Sequence, residues 1–234
     1  MNPDIAAEQT GVTADIQGLL TTGGPVVWIL CVFSLIALTI VLVKVWQLVA
    51  LRAESSKVVN SALEQWRAGK GRDAVGQLDD AHPVAAVVKC AMAGRLDGVN
   101  DLLLREEVER IASARLNDLR SFFRPLELIG ALSPLLGLLG TVMGMIVAFQ
   151  QMEVAGSQVD PTVLSGGIWQ ALLTTAVGMA VAIPVVAVHA WLERKTERVA
   201  ALMSDSVTRV FTTPLSASDG WPTTAAGTGD RNAA

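Results

Sequence analysis

The sequence predicts an all-α, polytopic membrane protein with three transmembrane helices and long helices extending into the cytoplasm. Three observations predict it. Three apolar runs each exceed the roughly 20 helical residues that cross a bilayer. Lys and Arg fall on one side of these runs only. With 51% hydrophobic and 17% charged residues and a mean hydropathy of +0.46, the 234-residue chain carries too little charge for a soluble domain of its size.

The order of segments follows from those runs. Residues 1–25 contain Asp4, Glu8 and Asp15 but no Lys or Arg. A signal peptide needs a basic start and a shorter apolar core, so the first run, 26–51, reads as a retained anchor behind a periplasmic N-terminal segment. Residues 52–125 carry Arg52, Lys57, Arg67 and further basic residues through to Arg124. They form a cytoplasmic helical domain with Gly69, Gly71, Gly94 and Gly98 as punctuation. Leu104, Val108, Ile111, Leu119 and Phe122 recur at near-helical spacing, so a charged helix is expected to lead straight into the second span, with a kink at Pro125.

The second span is 126–149, the periplasmic loop 150–162 has no Lys or Arg, and the third span is 163–192. Arg194, Lys195 and Arg198 then open a cytoplasmic C-terminal segment, 193–234, helical at first and disordered by composition after Phe211. Positive-inside bias puts the N-terminus in the periplasm and the C-terminus in the cytoplasm. Trp28, Trp46 and Trp191 suit span ends, and Lys44 is expected to snorkel out of the first span.

Several classes of chemistry find no support. No basic tract with interleaved aromatics suggests nucleic acid. Cys31 and Cys90 read as structural thiols, and His82 and His189 have no ligand cluster, so neither metal nor cofactor is expected. No nucleophile–base pair or phosphate-cradling loop suggests an enzyme.

The informative residues lie in spans two and three. In IGALSPLLGLLGTVMGMIVAFQ, Gly137, Gly140, Thr141, Gly144 and Ala148 share one side, and Gly140 with Gly144 forms a GxxxG pair that admits a neighbouring helix closely. In GGIWQALLTTAVGMAVAIPVVAVHAWLE, the matching stripe is Ala171, Thr174, Thr175, Gly178 and Ala182. Two readings stand. Either the stripes pack helices tightly, with Thr hydroxyls bonded back to their own carbonyls, or the hydroxyls line a narrow ion route. Gln170 must face protein or water, or reach the interface. The central turns of both spans contain no carboxylate, so an ion-carrying carboxylate must come from another subunit.

IGALSPLLGLLGTVMG and ALLTTAVGMAVAIP resemble the MotA/TolQ/ExbB proton-channel family, nearest its three-span ExbB/TolQ branch. The likeness covers about residues 100–197. It implies a homopentamer around ExbD/TolR-type single-span partners, each bringing a membrane Asp, with proton flow driving work that reaches TonB or TolA. Residue by residue, it implies that Thr141 and Thr175 face that Asp, that Thr174 adds a hydroxyl, and that Pro134 and Pro184 bend or loosen their helices. Gln170 stands where many relatives have Glu, which leaves proton or sodium open, and His189 stands where relatives often have Tyr. A non-conducting membrane scaffold explains the glycine stripes but not Thr141, Thr175 and Gln170 together.

Overall fold

The computed structural model describes residues 24–50, 57–155 and 161–214. Residues 1–23 of the expected N-terminal segment (1–25), residues 51–56 at the expected junction of the first span and the cytoplasmic domain, the middle of the expected periplasmic loop (156–160) and residues 215–234 of the tail expected after Phe211 lie outside the described residues. Among the described residues the chain consists of helices joined by short turns, without strands. The helices are α1 (Gly24–Ala50), α2 (Lys57–Arg67), α3 (Gly71–Gly76), α4 (Pro83–Leu96), α5 (Asp101–Arg120), α6 (Phe123–Ala155) and α7 (Pro161–Thr212). Three stretches are long and apolar enough to cross a membrane: Gly24–Leu48, part of Asp101–Val154, and part of Leu164–Thr212. The protein is therefore an all-α, multi-pass membrane protein. Helix reaches into both ends of the stretch 150–162 expected as loop, because α6 continues to Ala155 and α7 begins at Pro161.

The chain divides into two compact units, one made of the residues up to Trp46 with Ser121–Glu193, the other of Gln47–Arg120 with the residues from Arg194 onward. In the first unit, α6 buries Leu126, Ile129, Ser133, Gly137, Gly140, Gly144 and Ala148, a stripe at three- and four-residue steps. It faces Ala171, Thr174, Gly178, Ala182 and Val185 of α7, also buried. Gly130 approaches Val185 and Val186, Gly137 approaches Thr174, and Gly144 approaches Ala171, so the two helices run antiparallel. Large apolar residues such as Leu135, Leu138, Val142, Ile146 and Ile183 remain exposed on their outer faces. In hydrocarbon the packing of small residues, rather than apolar burial, holds such helices together.

The charged helix does not pass smoothly into the second span. α5 ends at Arg120, Phe122 adopts φ 67°, and α6 starts at Phe123. A left-handed backbone at a bulky residue ends the helix there, so the break lies at Phe122 and not at the expected Pro125. Pro125 sits in the first turn of α6, where a missing N–H costs no helical bond. Pro134 and Pro184 lie inside unbroken helices, and each removes one N–H, leaving the carbonyls of Gly130 and Ala180 without that intrahelical donor.

The second unit packs around α4, whose Val84, Ala85, Val87, Val88, Ala91 and Met92 are buried on several sides. α2 contributes Val59, Ala62, Leu63 and Trp66, the i, i+3, i+4, i+7 face of an amphipathic helix. Val199, Met203 and Val210 of α7 complete the core. Local chemistry fixes the ends. Pro83 occupies N1 of α4 while His82 Nδ1 accepts from Ala85 N at 3.2 Å. At its other end, Gly98 (φ 72°) donates to Arg95 O and Val99 to Gly94 O, the two bonds of a Schellman motif. Asn100 caps α5, its Oδ1 accepting from Leu102 N at 2.9 Å. Gly94, expected as punctuation, is helical instead, and a β-carbon there would collide with the Leu104 side chain.

Candidate functional site

The seam between α6 and α7 is where the glycines and the hydroxyls meet. A β-carbon at Gly137 would lie 3.1 Å from Thr175 Cα and Thr174 O. At Gly140 it would lie 2.5 Å from Thr174 Oγ1, and at Gly178 2.7 Å from Ser133 O. At Gly144 it would meet Ala171 Cβ at 3.2 Å. Backbone reaches backbone because these positions have no side chain. Gly137, Gly140, Gly144 and Gly178 thus face a helix of the same chain, and the GxxxG pair is used internally.

This geometry sorts the hydroxyls. Thr174 is 2% exposed. Its Oγ1 donates to Ala171 O at 2.8 Å and lies 3.4 Å from Gly137 O, which makes it part of the seam. Thr175 is half-buried at the edge, donating across the seam to Gly137 O at 3.1 Å. Thr141, one turn beyond Gly137, is also half-buried and donates back to Leu138 O at 2.6 Å. Gln170 is half-buried, and a β-carbon at Gly24 would lie 3.4 Å from its Nε2, which places the amide beside the first turn of α1.

Three groups were not legible as site neighbours. Ser133 is fully buried in the seam, its Oγ donating to Ile129 O at 2.6 Å. It lies four residues before Gly137, so extending the small-residue stripe by one turn finds it. Lys44, expected to snorkel, is only 2% exposed. Its Nζ donates to Ser121 Oγ at 2.8 Å and lies 5.8 Å from the Phe122 ring centroid, so local partners hold the charge within the protein. His189 meets Phe123 edge-to-face at 5.8 Å. On the other flank of α7, a groove of about 430 Å³ runs against α1, lined by Ser34, Ala37, Val41, Ala180, Pro184 and Val188 among others. No group of three or more His, Cys, Asp or Glu suited to a metal occurs among the described residues.

Three spanning helices, two of them packed through an internal glycine seam, define a multi-pass helical membrane protein. Residues 79–205 match the MotA/TolQ/ExbB proton channel family, more than half of the chain, and the protein belongs to that family. The stretch is similar to biopolymer transport protein exbB1 of Vibrio cholerae, 42% identical over 37% of this chain and 39% of that protein. A biopolymer transport ExbB-like protein of Synechocystis is 34% identical over 69% of this chain and 64% of its own length. ExbB of Xanthomonas campestris is 25% identical over 79% and 81% respectively. The match thus spans under two thirds of the first two relatives.

Proposed function

We propose that the chain is the channel and stator subunit of an inner-membrane motor driven by the proton-motive force. Several copies, five by family resemblance, surround ExbD/TolR-type helices, and proton flow drives work passed through TonB or TolA. The N-terminus is periplasmic and the C-terminus cytoplasmic, as the distribution of Lys and Arg favours. One observation carries the reading: Thr174 and Ser133 are sealed inside the seam, whereas Thr141 and Thr175 sit at its accessible edges.

The chemistry follows from the hydrogen bonds. A threonine that donates to a helix carbonyl still presents acceptor lone pairs. It accepts from a protonated partner carboxyl, and by rotating its O–H it donates to the ionised one. Thr175 and Thr141 therefore serve both protonation states of an Asp without titrating themselves. Gln170 is neutral and polar, so it orients water or carbonyls near the start of α1 and does not carry a proton. A sodium-driven variant is the second reading, favoured by that neutral amide among hydroxyl and carbonyl oxygens.

The test is ion flux in proteoliposomes holding the chain with and without a single-span partner bearing a membrane Asp, under proton or sodium gradients. Proton flux should require the partner and its Asp. Sodium-dependent flux would replace the proton reading with the sodium one. A stable complex that conducts neither ion would leave a structural scaffold.

A further inference from the structure

We propose that Arg95, steadied by Phe211 and Asp101, is a clasp that locks the last turn of α7. A helix ends with carbonyls that lack intrahelical donors. In α7 nearly all of them are accounted for by named groups. Arg209 O accepts from Thr213 N at 3.2 Å and from Thr213 Oγ1 at 2.8 Å. Arg95 Nη1 donates to Val210 O at 2.7 Å and to Thr213 O at 2.8 Å, with Phe211 O at 3.5 Å.

Arg95 comes from α4, more than a hundred residues earlier in the chain, so the cap is tertiary and not local. A guanidinium suits the task because it offers several donors in one plane and a positive charge at the negative end of the helix dipole. Its own position is fixed by the Schellman motif at the end of α4, where Gly98 donates to Arg95 O. The Asp101 carboxylate lies 3.9 Å from Arg95 Nε and balances part of the charge. Phe211 is 9% exposed, with the Arg95 guanidinium 5.9 Å and the Arg105 guanidinium 4.2 Å from its ring centroid. One aromatic ring thus joins the cap to α5. The clasp holds the end of the helix that also carries Gln170 and Thr175, and it does not depend on the channel reading.

Hydrogen–deuterium exchange on the full chain in lipid nanodiscs tests it, comparing Arg95→Gln, Arg95→Lys and the parent. Loss of charge-assisted bonds to the terminal carbonyls should speed exchange in residues 208–213 by about tenfold or more for Arg95→Gln, with α4 and α2 unchanged. Arg95→Lys, which keeps charge and a donor, should fall between. Unchanged exchange at 208–213 in Arg95→Gln would overturn the clasp. Equal acceleration across α2, α4 and α5 would also overturn it, since Arg95 would then be a general support of the unit.

Discussion

At the scale of the residue, the two neighbouring threonines of α7 have different work to do although they are adjacent in sequence. Thr174→Val keeps the volume but leaves the seam without one hydroxyl bond, so it should lower thermal stability by about 0.5–1.5 kcal/mol and leave partner-dependent flux intact. Thr175→Val and Thr141→Val should assemble normally with flux reduced at least about tenfold, Thr175→Val also giving up its bond across the seam to Gly137 O. Calorimetry and proteoliposome flux on the same three variants separate these outcomes. Full flux in both edge variants would refute the hydroxyl-lined route. His82 offers a stability test away from the membrane. His82→Ala removes the acceptor for Ala85 N and should cost about 1 kcal/mol, while His82→Asn restores a capping oxygen and most of that loss. On α5, Arg110 hydrogen-bonds Glu107 at 2.6 and 2.7 Å and holds its carboxyl below the usual carboxylate range. A depressed carboxyl adds stability above its unfolded pKa and loses it as pH falls through the folded one. Because the pair is exposed, Arg110→Gln should return the Glu107 titration to the ordinary range, seen by NMR, without moving Tm.

At the scale of the element, the glycine pattern specifies how close α6 and α7 come. A β-carbon at Gly140 would collide with Thr174, whereas one at Gly166 meets nothing within 4 Å. Gly140→Ala should therefore destabilise by about 1–3 kcal/mol in thermal unfolding, and Gly166→Ala should be close to neutral. Equal effects would show that the seam is looser than its geometry. Gly144→Leu should damage the fold of the single chain before it alters subunit number, since its neighbour is Ala171 of the same chain. Much of this was legible beforehand. The small-residue stripes of both spans follow from their three- and four-residue spacing, and all four glycines lie on the buried side. What the spacing left open was the partner of each stripe, because a glycine face fits a neighbour from the same chain as well as one from another. The same limit hid the separation of Thr174 from Thr175: about 100° of helical turn divides seam from edge, and only the facing helix decides which is which. The break at Phe122 and the inward Lys44 were illegible for another reason. A bulky residue with positive φ carries no composition signal, and a lysine near a span end ordinarily reaches outward.

At the scale of the whole molecule, the three spans still have to be assigned a sidedness. α1 and α7 run alike, since Gly24 lies by Gln170 and residues 34–41 share a groove with 177–188, while α6 runs opposite to α7. That alternation is what a chain crossing three times requires, but it leaves the sidedness to charge. Basic residues are concentrated between α1 and α6 and after the third span, and translocating them against the membrane potential is unfavourable. Asp97, exposed in the turn after α4, reports on this directly. With Cys31 and Cys90 changed to Ser, Asp97→Cys should react with a membrane-impermeant maleimide in inverted vesicles and stay unlabelled in intact spheroplasts. Labelling from outside the spheroplasts would reverse the orientation. It would also remove the proposed coupling to TonB or TolA, because protons moving down their gradient would then meet Gln170 and Thr175 in the opposite order. Labelling from the inside would place the start of α1, with Gln170 beside it, on the periplasmic side.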